Sequence, residues 1–539
     1  MEHWAGADLR GHAGGIDAKP IHRLEIALSL SPIEGSRYVS GTASGRSALS
    51  KLGSRLLGES AERLVSRDAE YLFGEHPGHR NHLVAVLFFD AGESDATAVT
   101  EQSVRQWVSE RLACSPVFTR RVQREMFDLD YPYWVGAEPD LDRHVHFHTV
   151  NERGWAPVEA LLSPVVESPM DLSRPLWELH VVTGIRGVHD LPESVIAVFL
   201  KVHHCAADGL AMREMTLGLF ARSWPAATVA GQSKAASKKV RIQKGGMAIR
   251  AIARIPRVLI RFGRGVADAR AAAKGIADAE KSGAIAPAVD ATYTPLNGVV
   301  SGEISIDFVT MRLDAISTIR RAVPGATVND VLLSVVSGAL REFSVRGEDL
   351  AKVSLVAKVP RSMRTVEDWT SANQLVLLSV PLHNETTAPL SRLAGIVQSS
   401  RKAKERSGFP AMRRYVSRIE SSPALLLKAS ALGSKLVAQS ASAAQAGHTI
   451  VSNIALDAMG REFFGCQYIG ALPNQPPGNG DLLRHYMCFK DTEVLTLNVL
   501  ADTSVLPAVG EYRTMLTRSF ESLLASATES LSSADVEAR

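Results

Sequence analysis

Cysteine is scarce in this sequence of 539 residues. The four cysteines, Cys114, Cys205, Cys466 and Cys488, lie far apart and form no CxxC pair. A disulfide framework or a structural zinc site normally needs paired or closely spaced cysteines. The sequence therefore predicts a protein of a reducing compartment, without disulfides and without a zinc site.

Long hydrophobic runs are also missing. No apolar stretch approaches the roughly 18–20 residues that are needed to cross a bilayer. Residues 1–63 are rich in Gly, Ser and Arg, and their short run LEIALSL (Leu24–Leu30) has no small-residue cleavage site directly after it. We interpret residues 1–63 as a poorly ordered N-terminal extension and not as a signal peptide. The expected location is cytoplasmic, with any membrane contact peripheral.

Several catalytic and cofactor motifs are absent. The sequence has no Walker loop, no GxSxG elbow and no HExxH motif, and GRGVAD (Gly263–Asp268) lacks the third glycine of a dinucleotide fingerprint. Two histidine clusters, HPGHRNH (His76–His82) and HVHFH (His144–His148), have no cysteine nearby, so we expect no metal there. The net charge of +3 says little about partners, and no nucleic-acid partner is expected.

The most informative stretch is LKVHHCAADGL (Leu200–Leu210). An apolar run predicts a strand before it and helical periodicity predicts a helix after it, so His203, His204 and Asp208 fall in a turn. A histidine can take a proton from an alcohol that attacks a carbonyl and can then protonate the leaving group. A nearby carboxylate can fix the turn or the imidazole, and Gly209 lets the chain bend sharply before the helix. The alternative interpretation is a pair of structural histidines that cap a strand.

The chain is longer than one hydrophobic core usually supports, so more than one domain is expected. Strand and helix patterns form two blocks of similar size, separated by a segment that is rich in Ala, Gly, Lys and Arg. We predict an α/β (α+β) fold in which two such domains flank a cleft where a substrate can bind. The predicted boundaries are an N-terminal domain at 64–224, a connector at 225–290, a C-terminal domain at 291–525 and a tail at 526–539.

HHxxxDG resembles the signature of the chloramphenicol acetyltransferase-like superfamily, and the neighbouring motifs resemble one branch, the bacterial wax ester synthase/diacylglycerol acyltransferases. The resemblance covers about Leu64 to Leu524, with the motifs in the family's order. The matching segments are SRDAEYLF (Ser66–Phe73), SPMDLSRPLWELHVVTGI (Ser168–Ile185) with Pro175, Leu176 and Trp177 as its PLW, YTPLNG (Tyr293–Gly298), ATVNDVLLSVVSGALREF (Ala326–Phe343) with Asn329 and Asp330, and VPRSMR (Val359–Arg364).

Two segments of the second domain depart from the family pattern. SNIALD (Ser452–Asp457) keeps Ser452 and Asn453 but replaces the usual SNVPGP. After TPLNG, the usual paired arginines are replaced by VVSGEIS (Val299–Ser305).

The resemblance implies two chloramphenicol acetyltransferase-like domains with an inter-domain channel that reaches His204 from both sides. His204 would be the general base on a lipid alcohol whose oxygen attacks the thioester of acyl-CoA, a co-substrate, and no separate cofactor is expected. His203 would position the turn, and Asp208 would anchor it by pairing with an arginine, for which Arg364 is the candidate. The other motif residues would be structural, with Trp177 in the core and Asn329 and Asp330 capping a helix and bracing the domain interface.

The resulting hypothesis is an acyl-CoA-dependent O-acyltransferase that makes triacylglycerol from diacylglycerol, wax esters from long-chain alcohols, or both. Two alternatives stay open. One is a related acyltransferase that esterifies another lipid or polyketide alcohol, and the other is a family member of low turnover that binds lipid. The sequence does not predict the acyl chain length or the oligomeric state.

The connector is strongly basic, with twelve lysines and arginines against one acid, Asp268, between Lys234 and Lys274. Five of its arginines are spaced 4, 3, 4 and 3 residues apart, which places them on one face of a helix with apolar residues between them. This pattern predicts a peripheral helix at the inner face of the membrane or at a lipid droplet, whose arginines reach anionic headgroups while the isoleucines between them enter the interface. The alternative is a solvated face on a helix packed across the domains, and Pro256 is expected to kink that helix. The five arginines are Arg250, Arg254, Arg257, Arg261 and Arg264.

Overall fold

The computed structural model describes residues 62–537, apart from 93–97, 125–127, 223–243, 346, 364–374, 439–446, 455, 457–459 and 490–492. The predicted N-terminal extension therefore lies almost entirely outside the described residues. The same is true of Arg364, the arginine expected to pair with Asp208.

The strands are numbered in chain order. They are β1 (Glu62–Arg63), β2 (His82–Asp90), β3 (Arg120–Gln123), β4 (Tyr133–Gly136), β5 (Val145–Thr149), β6 (Trp177–Arg186), β7 (Ser194–His203), β8 (Ile304–Arg312), β9 (Ser344–Val345), β10 (Glu348–Asp349), β11 (Val356–Ser362), β12 (Leu375–Pro381), β13 (Thr449–Asn453), β14 (Glu462–Phe463), β15 (Cys466–Asn474), β16 (Leu483–Phe489) and β17 (Val494–Asp502).

The α-helices are numbered in the same way. They are α1 (Ser66–Gly74), α2 (Glu101–Arg111), α3 (Leu141–His144), α4 (Ala156–Glu167), α5 (Gly209–Leu219), α6 (Lys244–Lys281), α7 (Leu313–Ala322), α8 (Val328–Glu342), α9 (Pro389–Gly408), α10 (Pro410–Ser417), α11 (Ala424–Ala438) and α12 (Val509–Glu537). Among the described residues, no helix is both long enough and apolar enough to span a bilayer.

Two six-stranded mixed sheets organise the described chain. The first has the order β14-β15-β2-β7-β6-β5, and the second has the order β12-β11-β13-β16-β17-β8. In the first sheet, β7 lies between β2 and β6 and pairs antiparallel with both. Its sequence, SVIAVFLKVH, is almost wholly apolar because both faces of the strand are buried.

The first sheet takes strands from both halves of the chain. β15 pairs antiparallel with β2, from Gln467 opposite Asp90 to Asn474 opposite Val84. Residues 462–474 belong by sequence to the predicted C-terminal domain, yet they form the β14–β15 side of the first sheet. The two halves are therefore joined by a backbone hydrogen-bond ladder as well as by side-chain packing.

The described part of the connector consists mainly of one long helix. α6 runs through Pro256 without a break, so the helix continues across the position where a kink was expected. Its C-terminal half packs Ala272, Ile276 and Ala279 against α10, where Ala411 is buried. The N-terminal half carries the arginine series and is described below.

Candidate active site

The two histidines stand at the end of the central strand β7. His203 is its last residue, and its backbone N–H donates to the carbonyl of Leu176 at 3.2 Å. The next N–H, of His204, donates to the carbonyl of Asn81 at 2.8 Å, and the N–H of Ala206 returns to the carbonyl of His203 at 2.9 Å. The turn between β7 and α5 is thus held by backbone bonds on both sides, which fixes the direction of the His204 side chain.

His203 is a buried bridge between this turn and Glu75. Its Nε2 lies 2.6 Å from Oε2 of Glu75, and its Nδ1 accepts from the N–H of Cys205 at 3.1 Å. Because Nδ1 accepts, the ring proton is on Nε2 and is donated to the carboxylate. Burial alone would raise the pKa of Glu75, but the hydrogen bond from His203 and the nearby positive charges lower it. His203 and Glu75 therefore hold the turn from its inner side.

His204 lies flat against an aromatic ring. Its imidazole stacks on Tyr71 with ring centroids 4.1 Å apart and an angle of 6° between the planes. Asn81 connects the two residues, since its Nδ2 donates to the carbonyl of Tyr71 at 2.7 Å and its own carbonyl accepts from His204. Burial, together with the charges of nearby carboxylates, raises the pKa of the Tyr71 phenol, which keeps this ring neutral. The stacked Tyr71 ring thus fixes the plane of the His204 imidazole without adding a charge.

Asp208 caps α5. Its Oδ1 accepts from the N–H of Ala211 at 2.9 Å, and its side chain is buried beside the turn. This is the N-cap bond that satisfies an otherwise unpaired donor in the first turn of a helix. The role is that of an anchor for the end of the turn. Its pairing with Arg364 remains a prediction, because Arg364 lies outside the described residues.

The capping geometry gives a prediction for two variants of Asp208. Asparagine caps about as well as aspartate, whereas alanine at an N-cap costs about 0.5–2 kcal/mol. Asp208→Ala is therefore expected to lower the melting temperature and the activity together, while Asp208→Asn keeps most of both. If Asp208→Asn lost activity at an unchanged melting temperature, the charge of Asp208 would instead support the imidazole directly.

The structure corrects the role expected of Gly209. A sharp bend would use the left-handed region, but the φ of Gly209 lies outside that range, and the residue is the first of α5. Its lack of a side chain serves packing instead, because a Cβ there would lie 3.2 Å from Cγ2 of Ile454. Ile454 belongs to SNIALD, so at least this residue of the second half lies against the start of α5.

The PLW segment supports the turn from the β6 side. Leu176 and Trp177 are buried, and the carbonyl of Leu176 accepts from His203. The indole N–H of Trp177 donates to the carbonyl of Phe118 at 3.1 Å. The carbonyl of Pro175 accepts from the N–H of Trp177 at 3.0 Å. These residues place β6 beside β7 and have no direct chemical role in this geometry.

The ND segment caps a helix in the second half. Asp330 and Thr327 form a reciprocal capping box at the start of α8. Asn329 accepts from Nδ2 of Asn453 at 3.4 Å, which links α8 to the end of β13. Asn329, Asn453 and the buried Ser452 line a small cavity of about 10 Å³.

Histidines of both clusters contact other protein groups. His82 is fully buried with Nε2 2.5 Å from the carbonyl of Val166, and burial lowers its pKa well below the usual value. In the second cluster, His146 and His148 both stack on His180 of the neighbouring strand. Across the described ranges, no group of three His, Cys, Asp or Glu side chains is placed to hold a metal ion.

Three residues of the site were not singled out from the sequence: Tyr71, Glu75 and Asn81. Tyr71 lies in SRDAEYLF, a segment matched as a motif without a role for its aromatic ring. Glu75 is separated from His203 by 128 residues, and no local pattern connects them. The pairing of His82 with His203 across β2 and β7 brings this segment beside the turn.

Comparison with known proteins places the chain among acyltransferases. Residues 64–332 match the family model described as the wax ester synthase/diacylglycerol acyltransferase catalytic domain. A Mycobacterium tuberculosis H37Rv protein, provisionally named a diacylglycerol O-acyltransferase, is 28% identical over 363 residues, 63% of this chain and 68% of its own. A second protein of that strain with the same provisional name is 24% identical over 354 residues, 64% of this chain and 67% of its own.

Solved structures show the same fold. The wax ester synthase/diacylglycerol acyltransferase from Marinobacter aquaeolei VT8 matches with a TM-score of 0.58 at 19% identity, over 87% of this chain and 100% of that one. The first condensation domain of the CDA synthetase matches with a TM-score of 0.50 at 13% identity, over 87% of this chain and 96% of that one. The predicted α/β fold with two chloramphenicol acetyltransferase-like halves is thereby confirmed. By these motifs and these matches, the chain belongs to the wax ester synthase/diacylglycerol acyltransferase family.

Proposed function

We propose that this protein is an acyl-CoA-dependent O-acyltransferase that makes triacylglycerol from diacylglycerol, wax esters from long-chain alcohols, or both. The observation that carries the proposal is the fixed position of His204. Its backbone is bound to Asn81 and its ring is stacked on Tyr71. A base whose orientation is set before the substrate arrives loses little entropy on the way to the transition state.

The proposed reaction is a direct transfer. His204 removes the proton of the acceptor hydroxyl while that oxygen attacks the thioester carbonyl of acyl-CoA. When the tetrahedral intermediate collapses, the carbon–sulfur bond breaks, the ester remains, and the proton passes from His204 to the departing CoA thiolate. Cys205, which follows in the sequence, is buried in a hydrophobic core cluster, and this agrees with a reaction that needs no cysteine nucleophile. Acyl-CoA is thus a co-substrate, and the proposal includes no cofactor.

The proposal places the two substrates in a channel between the halves, on opposite sides of His204. The contact of Ile454 with Gly209 supports this placement, because it brings a residue of SNIALD to the turn. SNIALD is also the segment that departs from the family pattern. It therefore favours one second candidate, a related acyltransferase with the same chemistry and a different lipid or polyketide alcohol.

Peripheral contact with the inner face of the membrane or with a lipid droplet is part of the same proposal. Diacylglycerol and long-chain alcohols are held in such lipid phases, so an enzyme that uses them gains by binding there. The basic composition of the connector supports this view, because anionic headgroups attract basic segments.

The test measures thiol release from palmitoyl-CoA with diacylglycerol, with hexadecanol and without an acceptor. Release that depends on an acceptor, together with the matching ester identified by mass spectrometry, is the expected result, and the preferred acceptor distinguishes triacylglycerol from wax ester synthesis. Thiol release that is equal without an acceptor would indicate hydrolysis and contradict the proposal. No release by a folded protein with either acceptor would favour another alcohol or the low-turnover lipid-binding alternative.

A further inference from the structure

The outward face of the N-terminal half of α6 is apolar. Ile252, Ile255, Leu259 and Ile260 are 58%, 44%, 58% and 57% exposed. The first three are spaced 3 and 4 residues apart and so share one side of the helix. Exposed positions between them and just beyond add no charge to this side: Ala253, Pro256, Gly263 and Ala267. An ordinary surface helix places such residues toward the core, and here they face outward.

Two arginines of the series contact protein groups, although the sequence predicted that all five would reach headgroups. Nη1 of Arg254 lies 2.7 Å from Oδ2 of Asp130, and Arg261 donates to the carbonyl of Glu420. The side chain of Arg250 lies outside the described part of the chain. Arg257 and Arg264 are exposed and, being seven residues apart, lie on one flank of the apolar side.

A second helix that is linked to α6 through a short segment also carries exposed leucines. In α11, Leu425, Leu426 and Leu432 are 48%, 45% and 54% exposed. The short segment 128–130 ties the two helices together, since Asp128 binds Lys428 of α11 at 2.5 Å and Asp130 binds Arg254 of α6. Leu129, between these two aspartates, is itself 38% exposed. We call the four exposed residues of α6 the apolar face: Ile252, Ile255, Leu259 and Ile260.

We propose that the apolar face docks on an anionic phospholipid surface by inserting its leucine and isoleucine side chains. Grouped apolar side chains, unlike scattered ones, mark an interaction surface. The flanking Arg257 and Arg264 suit anionic headgroups, and the connector carries twelve basic residues against one acid between Lys234 and Lys274. Docking of one copy on another would instead bring two such basic segments together. This inference rests on the proposed function only in that the lipid substrates reside in the same phase.

Inserted apolar side chains and arginines respond differently to salt. The attraction of arginines to headgroups is screened at high ionic strength, whereas burial of leucine and isoleucine is not. Docking through the apolar face therefore predicts binding that high salt weakens but does not abolish. Docking through arginines alone predicts complete release.

The experiment is cosedimentation of the full chain with vesicles of phosphatidylcholine and phosphatidylglycerol, at low salt and in 1 M NaCl. The test variant replaces Ile252, Ile255, Leu259 and Ile260 with serine. The matched control replaces the exposed Ala271 and Ala273 of the same helix with serine. We expect the test variant to bind at least about tenfold more weakly at both salt concentrations, while the control binds like the wild type. An Arg257→Gln/Arg264→Gln variant should keep the vesicle binding that resists 1 M NaCl and lose some of the additional binding that is seen only at low salt.

Equal binding by the wild type and the four-serine variant would overturn the proposal. So would complete release of the wild type by salt. A third result would also overturn it: a wild type that does not bind vesicles but is dimeric, beside a four-serine variant that is monomeric. The apolar face would then join two copies of the chain. Turnover on a detergent-dispersed acceptor separates this inference from the proposed function. Vesicle binding without turnover would support the docking face and contradict the proposed acyltransferase activity.

Discussion

His204→Ala is expected to lower acceptor-dependent thiol release from acyl-CoA at least roughly a hundredfold, the usual scale for loss of a general base. The variant removes the imidazole that stacks on Tyr71 but leaves the backbone bond to Asn81 in place. The turn should therefore remain formed, and the loss should fall on turnover more than on folding. Initial rates with saturating palmitoyl-CoA, beside the melting temperature of each variant, give the measurement.

His203→Ala is the matched comparison, because the two histidines are neighbours in the sequence but contact different groups. His203 contacts Glu75 and the backbone of the turn, so its loss should damage stability more and the turnover of the folded fraction less. A His204→Ala protein with near-normal turnover would rule out His204 as the base. A larger loss of turnover in His203→Ala at unchanged stability would exchange the roles of the two residues.

Glu75→Ala is expected to lower the free energy of unfolding by about 2–3 kcal/mol, because the fully buried His203 ring loses the acceptor of its N–H. Glu75→Gln keeps an oxygen in the same place and should cost less. Urea unfolding at pH 7 measures the difference. Glu193, whose pair with Arg153 is exposed on both sides, is the control, and Glu193→Ala should barely change stability.

The pH dependence provides a second readout for Glu75. Its pKa is lowered in the folded protein, so its contribution is present above the ordinary carboxyl pKa of about 4.3 and is lost as pH falls through the lowered value. The stability advantage of the wild type over Glu75→Gln should therefore shrink in acid below about pH 4. An advantage that did not change down to pH 3 would show that the charge of Glu75 does not stabilise the fold.

The local structure around the histidines could be predicted from the sequence because it depends on neighbouring residues. The apolar run that begins at Ser194 forms β7, and the helical pattern after Asp208 forms α5. The turn between them follows from these two elements alone. The cap at Asp208 is likewise a local bond, between residues three apart.

Features that depend on distant residues could not be predicted. The Glu75–His203 pair requires β2 to lie beside β7, and nothing in the sequence near Glu75 states this. In the same way, the 4-3-4-3 spacing of the connector arginines shows that they share a side of α6. The spacing does not show which side of α6 packs against the rest of the protein. That depends on the contacts of Arg254 with Asp130 and of Arg261 with Glu420.

The pairing of β15, from the second half of the chain, with β2 has a consequence for folding during synthesis. β2 and β7 form early in the chain, but β15, which covers the other edge of β2, ends at Asn474. Until that segment leaves the ribosome, β2 presents a row of unpaired backbone groups, and such an edge can pair with other chains. The first half is therefore not an independent folding unit during synthesis. Its completion waits for most of the polypeptide, a period in which a chaperone that shields the open edge would raise the yield of native protein.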